Sequence, residues 1–468
     1  MSTENTSAIF DKYYWPILVF ITLSAVVLRF WHLGHIHELV FDEVYFPQFA
    51  HNYLTGKEFF DTHPPLSKYI IAAGIWIHNH LPWVDDPHYL KVEITELSAV
   101  SWRWVNALWG SALCLVVATL VRAIYPKALA ALLAAAFIGL DGSFIVESRF
   151  GLNNIYLVGF GLCACLFFGK WFRAKDRHSS LLLLAACGIF LGFSYSVKWN
   201  GLGFSLAFWG LFIYFFMLNY AARELQIHTQ LKQHTVWFND PALLWQIPVF
   251  MILLPLVIYS LLWIPHISMR EEYGFVEMQK QIFGYHSNSV KADEHPYCSR
   301  WYSWPMQLRP MSYYFVSDDK AADASLHRFY DIHLLGNPAL YWGSVIAVLC
   351  LFPIWLRSSW RYVIGLKTPD LPFQTMLAFG FLANWLPWSL VSRCLFQYHY
   401  MASSAFAFLT TAYLLNVAWE SEKRWLRMGV IGAMILFIAA FIFWLPIHLG
   451  TELKPSGFYQ RMWLRSWI

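Results

Sequence analysis

The amino-acid sequence predicts an all-α polytopic membrane protein, and three observations carry that prediction. Apolar residues make up 58% of the 468-residue chain and charged residues only 13%, against about 45–50% and about 25% in a soluble domain. Mean hydropathy is +0.44. The apolar residues gather in runs long enough to span a bilayer, roughly 20 residues each. The 25 Trp and 25 Tyr suit interfacial belts, and a net charge of +4 leaves no footprint for nucleic acid.

Taken in order, the runs lie at about 15–34, 98–121, 129–146, 152–172, 180–197, 201–220, 244–264, 337–356, 372–391, 398–418 and 428–448, about eleven spans. Residues 1–14 lack the pattern of a cleaved signal peptide, so the first run reads as an uncleaved anchor. One further run, Leu66–Ile77, is short for a span and better suits an interfacial or re-entrant helix. Charge decides its status, because Lys and Arg mark cytoplasmic loops. If Leu66–Ile77 does not cross, Arg122 and Lys127 share one side with Lys170, Arg173, Lys175 and Arg177. Arg357, Arg361 and Lys367, then Lys423, Arg424 and Arg427, fall on that side too. The opposite short loops carry single basic residues, Arg149, Lys198 and Arg393. This sets the N-terminus in the cytoplasm and the C-terminus outside.

The chain then divides into an N-terminal transmembrane module, 1–264, a long outer loop, 265–336, and a C-terminal region of four spans, 337–468. The first outer loop, 35–97, carries short interfacial helices, and 221–243 reads as a polar cytoplasmic loop. The seven Cys are odd in number and follow no recurring spacing, so neither a disulfide framework nor a metal signature is expected. Most of the 18 His fall on the outer side, yet none has metal-ligand spacing; the pairs His35/His37 and His78/His80 would not share a helix face. No metal or other cofactor is expected.

The chemistry concentrates on the predicted outer side. Asp42-Glu43 follows the first span directly, and a carboxylate pair at a membrane surface suits acid/base work. Asp61-Thr62-His63-Pro64-Pro65 holds His63 in an extended turn, with a helix free to start at Leu66. Arg103, between two Trp, suits either phosphate binding or snorkelling to the interface. Asp141 to Asn154 reads as an outer hairpin, with Asp141 near a span end and a local Glu147–Arg149 ion pair in the turn. Lys198 is an isolated cation between two spans, which favours a ligand phosphate. The stretch from His295 and Tyr297 through Trp304-Pro305 suits a sugar face, a lipid headgroup or a helix lying on the membrane. Arg393, upstream of Tyr398-His399-Tyr400, could meet a phosphate or cap a helix.

These pieces, in this order, resemble the protein O-mannosyltransferases. The likeness rests on Asp42-Glu43-Val44 with Phe46, on Phe59-Phe60-Asp61 with His63-Pro64-Pro65-Leu66 and Lys68, on Arg103, and on Asp141-Gly142 with Glu147-Ser148-Arg149. It continues through Val197 to Leu202, His295-Pro296-Tyr297, Ser303-Trp304-Pro305, Leu335 to Pro338, and Arg393 with Tyr398-His399-Tyr400. The resemblance implies a GT-C glycosyltransferase fold and inverting, metal-independent transfer of mannose from polyprenyl-phosphate mannose to Ser/Thr of exported proteins. It implies Asp42 as general base with Glu43 beside it, and Arg103, Lys198 and Arg393 as phosphate ligands. Asp61, His63, Asp141, Glu147, Arg149, His295, Tyr297 and His399 would support the outer face. Implied partners are the lipid donor, an unfolded or translocating protein acceptor, the bilayer and the secretion translocon. Residues 265–336 are too few for the MIR repeats of eukaryotic members, so the likeness is to a bacterial-type member of a plasma membrane, acting on its outer face. The family usually has Asp where this chain has Asn154. Competing expectations are a GT-C transferase of another sugar or with a glycolipid acceptor, like the lipid A aminoarabinose transferases, and a lipid or solute transporter.

Overall fold

The chain traverses its own core repeatedly as antiparallel helices, with the reactive side chains gathered at one end. The computed structural model describes residues 3–225, 243–269, 273–289, 295–318 and 327–468. The predicted polar loop 221–243 falls mostly outside the described residues. The N-terminal half runs α1 (Thr3–Lys12), α2 (Tyr14–Phe30), α3 (Phe46–Thr55), α4 (Leu66–Asn79), α5 (Val100–Ile124) and α6 (Ala128–Leu140). It continues with α7 (Gly142–Arg149), α8 (Asn154–Trp171), α9 (Arg177–Tyr195), α10 (Leu202–Glu224), α11 (Leu243–Pro248) and α12 (Leu254–Ser268). After α13 (Phe275–Gly284) comes an antiparallel hairpin, β1 (Met311–Asp318) and β2 (Arg328–Leu334). The helices α14 (Pro338–Val363), α15 (Leu371–Trp385), α16 (Met401–Trp419), α17 (Arg424–Leu449) and α18 (Pro455–Tyr459) complete the chain.

Each of the eleven apolar runs becomes helical. Among the described residues, eight helices are long and apolar enough to cross a membrane, and nine if α6 and α7 count as one bent span. Tyr14–Phe30 and Leu371–Trp385 are shorter, at 17 and 15 residues. The doubtful run Leu66–Ile77 forms α4, whose 14 residues extend about 21 Å, short of a hydrocarbon core of about 30 Å. Pro64-Pro65 supplies its start, since neither residue can donate a backbone N–H.

Burial orders the bundle. The α8 span is 89% buried and the α16 span 78%, whereas the span ending in α12 is 17% buried and that of α17 28%. Hence α8 and α16 are central, and the last two face the surroundings with apolar side chains, as lipid requires. Helices approach closely where a side chain is missing. A Cβ on Gly110 of α5 would lie 2.3 Å from the Ser148 Cβ of α7. The basic loops meet at one end: Arg122 pairs with Asp11 at 2.8 Å, Arg173 donates to the Ile124 carbonyl at 2.9 Å, and Lys127 pairs with Glu420 at 2.9 Å.

The expected outer hairpin at 141–154 is corrected by the structure. Residues 142–149 are helix, bent by 54° from α6. Asp141 causes the break by capping α7: its Oδ1 accepts from the Ser143 and Phe144 amides at 3.0 and 3.2 Å, and its Oδ2 accepts from the Asn337 amide at 2.9 Å.

Candidate active site

The end opposite the basic loops holds a cavity of about 880 Å³, walled by the first loop, the start of α10, α13 and the segment before α16. Asp42, Asp61, His63, Lys198, Arg393 and His399 line it. Glu43, Arg103, Asp141, Glu147, Arg149, His295 and Tyr297 do not.

Asp42 and Glu43 are neighbours with opposite environments. They sit on a tight 3-10 turn, Phe41–Val44, which points successive side chains apart. Glu43 is fully buried. It accepts from the Val40 amide at 2.9 Å, Trp102 Nε1 at 3.0 Å, the Gly151 amide at 2.7 Å, and Arg103 Nε and Nη2 at 2.9 and 2.6 Å. Arg103 gives its remaining donors to the carbonyls of Leu33, Ile36 and Glu38 at 3.3, 2.6 and 2.9 Å. Every guanidinium N–H is engaged. Glu43 and Arg103, expected as a base and a phosphate ligand, lie outside the cavity lining and are engaged with each other, with Trp102 and with backbone groups. Together they anchor the turn that carries Asp42.

Asp42 is half-buried, opens on the cavity, and has no side-chain hydrogen bond among the described residues. Burial raises its pKa from the ordinary 3.8 to about 6, against the pull of Lys198 and with a push from Asp61. Phe41, the preceding residue, has φ +53°, a conformation costly for a bulky side chain. Its ring stacks on Tyr313 at 4.2 Å. One flank of Asp42 is thus held by an aromatic stack and the other by an ion pair.

Two cations share this cavity. Lys198 donates to Asn154 Oδ1 at 2.9 Å and lies 5.0 Å over the Tyr398 ring. Burial pulls its pKa down to about 8, partly countered by Asp42 and Glu147. Among the described residues, Arg393 makes one side-chain hydrogen bond, 3.2 Å to the Cys394 carbonyl. A disulfide between Cys298 and Cys394 fastens the residue beside Arg393 to the outer loop. The expectation of no disulfide is corrected here. Scattered spacing hid the pair, because 96 residues separate its members.

The first loop is braced from beneath. Asp61 forms an ion pair with Lys68 and accepts from the His63 amide at 3.2 Å, and Lys68 donates to the His63 carbonyl at 2.8 Å. Burial, with Lys198 and His286 nearby, holds the His63 ring well below its ordinary pKa, so it is neutral at pH 7. His286 stacks on it at 5.5 Å. His399 stacks on Trp304 at 5.9 Å and hydrogen-bonds the Phe396 carbonyl at 3.0 Å.

The remaining expected residues do not line the cavity. The Glu147–Arg149 ion pair does not form. Glu147 accepts from Tyr313 OH at 2.6 Å and from Asn154 Nδ2, while Arg149 Nη1 donates to the carbonyls of Leu28 and Trp31, both at 2.8 Å, at the end of α2. His295 is exposed and folds back on its own loop, accepting from the Tyr297 amide at 3.2 Å. Tyr297 stacks under Arg309 at 4.7 Å. Sequence reasoning missed Arg29, a buried Arg that donates to Ser148 Oγ at 2.8 Å and to the Gly139 carbonyl at 2.8 Å. A lone Arg in an apolar run was the available signal. His286, Tyr313 and Lys68 were also left without roles. Among the described residues, no three His, Cys, Asp or Glu side chains form a metal-ligating group.

Comparison with solved structures places this fold in a known class. The S. cerevisiae protein O-mannosyltransferase Pmt1–Pmt2 complex bound to the sugar donor is similar at TM-score 0.80 and 14% identity, over 97% of this chain and 93% of that one. ArnT from Cupriavidus metallidurans bound to undecaprenyl phosphate gives TM-score 0.53 at 12% identity, over 93% of this chain and 76% of that one. The protein has the GT-C fold and is a membrane-embedded glycosyltransferase. The family model for dolichyl-phosphate-mannose-protein mannosyltransferase matches residues 19–270. That for the C-terminal four TMM region of protein-O-mannosyltransferase matches residues 271–467. The chain belongs to the protein O-mannosyltransferase family. The polyprenol-phosphate-mannose–protein mannosyltransferase of Mycolicibacterium smegmatis is 24% identical over 97% of this chain and 93% of that protein.

Proposed function

We propose that the protein transfers mannose, with inversion and without a metal, from polyprenyl-phosphate mannose to Ser/Thr hydroxyls of exported proteins. The site faces the outside of a bacterial plasma membrane. The observation that carries this reading is a carboxylate, Asp42, with no side-chain hydrogen bond among the described residues, sharing one cavity with two cations, Lys198 and Arg393.

The chemistry balances on these groups alone. The acceptor hydroxyl oxygen attacks C1 of mannose, and its proton passes to Asp42. The bond from C1 to the phosphate oxygen breaks, and polyprenyl phosphate leaves with one more negative charge than it had in the diester. Lys198 and Arg393 stabilise that growing charge. A base placed this way contributes about 10²–10⁴ in rate. A pKa of about 6 leaves Asp42 ionised at pH 7 yet basic enough to take the proton. Clustering of basic loops at the opposite end supports an outward-facing site. The Cys298–Cys394 disulfide beside the cavity also fits an oxidising, exported face.

The test is transfer of labelled mannose from polyprenyl-phosphate mannose to a Ser/Thr peptide in membranes, comparing wild type with Asp42→Asn. Wild-type transfer that the variant loses while well expressed supports the reading. Transfer surviving in the variant removes Asp42 as base. Failure of folded wild type to label peptide, with label entering a glycolipid instead, overturns the protein acceptor.

A further inference from the structure

Asn154 lies between two opposite charges. Its Nδ2 donates to both Glu147 oxygens at 3.1 Å, and its Oδ1 accepts from Lys198 Nζ at 2.9 Å. All three side chains are buried. The amide can sit only one way round. Flipped, its oxygen would face the carboxylate and its NH₂ the ammonium, leaving like partners at both ends. Glu147 is held in turn by Tyr313 OH at 2.6 Å. Of the three, only Lys198 reaches the cavity. The side chains that face its ammonium are Asn154 from α8, Tyr398 from the segment before α16, and the charges of Asp42, Glu147, Asp61 and Arg393.

We propose that Asn154 is a positioning residue: a neutral bridge that holds the Lys198 ammonium toward the donor phosphate while keeping Glu147 one side chain away as its counter-charge. This rests on the reading of Lys198 as a phosphate ligand. An amide oxygen is a weaker partner for an ammonium than a phosphate oxygen is, so Lys198 is aimed but not neutralised. A carboxylate in the same place would add a second negative charge beside Lys198 while Glu147 keeps its own, and the two anions together would compete with the donor phosphate for one ammonium. It would also abut the Glu147 carboxylate, with no proton-bearing group between them.

The test exchanges the charges without changing the shapes. Kinetics with polyprenyl-phosphate mannose would be measured for Asn154→Asp, Glu147→Gln and the double variant, with polyprenyl phosphate as a competitor. Asn154→Asp should raise the donor KM about tenfold, equivalent to about 1.4 kcal/mol, and weaken competition equally, with kcat little changed. In the double variant, Gln donates to Asp, Asp accepts from Lys198, and one negative charge remains. Its donor KM should return to within about threefold of wild type, a coupling that independent sites would not show. The proposal is overturned if Asn154→Asp leaves the donor KM within twofold of wild type, or if the double variant does no better than that single one. Lys198→Ala, run in parallel, separates the two layers. An unchanged donor KM there sinks the phosphate-ligand reading itself, whereas a raised one with a neutral Asn154→Asp sinks only the role of Asn154.

Discussion

Replacing either member of the adjacent pair Asp42 and Glu43 by its amide should have opposite effects on stability. Glu43→Gln keeps the shape but puts an NH₂ where Arg103, Trp102 and two backbone amides all present donors. It leaves the Arg103 charge buried without a counter-ion, and breaking a buried ion pair on one side costs about 3–5 kcal/mol. Asp42→Asn removes a carboxylate that nothing among the described residues hydrogen-bonds. Its folded pKa is raised, from 3.8 to about 6, so at pH 7 its charge weakens the fold rather than supporting it. That shift bounds the gain from neutralising it at about 3 kcal/mol. The sign follows because the folded state binds its proton more tightly, so the penalty grows as pH rises from about 4 to about 6 and is full above. The assay is thermal unfolding of purified protein in detergent, with mannose transfer measured on the same samples. Asp42→Asn should unfold no lower than wild type and lose transfer by about 10²–10⁴; Glu43→Gln should unfold well below it. Equal loss of stability in both variants, or a fully stable Glu43→Gln, would refute the assignment of anchor and base.

Three further outcomes are expected. The pH profile of kcat/KM should be bell-shaped, falling below about 6 as Asp42 takes a proton and above about 8 as Lys198 loses one. Lys198→Arg should flatten the alkaline limb, since a guanidinium stays charged; an unmoved limb would detach it from Lys198. Tyr313→Phe removes the hydroxyl donated to buried Glu147 at 2.6 Å and should cost about 1.5–3 kcal/mol of stability, read by the same thermal assay. Cys298 and Cys394 should react with a membrane-impermeant maleimide in intact cells only after reduction. Reduction should also raise the donor KM, because the Arg393 segment loses its covalent tie; labelling only in permeabilised cells would invert the orientation.

The scaffold was largely legible in the sequence because lipid makes one demand of every span. Each apolar run became helical, and the short run after Pro64-Pro65 became a helix too short to cross. The boundaries of spans were less legible. Tyr14–Phe30 and Leu371–Trp385 are shorter than their apolar runs, since hydropathy does not report where capping ends a helix. The polar residues divided along the same line. Asp42, expected from the Asp42-Glu43 pair, and Lys198 and Arg393, expected as basic residues at span ends, all line the cavity. Their partners were not legible, because partnership across the fold leaves no local trace. Nothing near Glu43 in sequence announces that Arg103, sixty residues on, takes both its oxygens. Proximity in sequence even misled for Glu147 and Arg149, whose true partners sit on β1, α8 and the end of α2.

The fate of Asp42 and Glu43 shows what the fold adds to composition. Two carboxylates on adjacent residues would have similar acidity in water. A 3-10 turn sends one into a nest of donors and the other to a cavity wall. The saturated group cannot take a proton from substrate without breaking several hydrogen bonds. The bare one is kept basic by the same burial that makes its charge costly. Burial alone would leave Asp42 free to turn away, and here the anchoring pair has its second function. Arg103 holds Glu43 from below and Tyr313 holds Phe41 from the side, so the turn between them has little freedom to relieve its strain. On the proposed role of Asp42 as base, its precision depends on residues that do not line the cavity, and loosening Phe41 should lower kcat more than it changes the KM for either substrate.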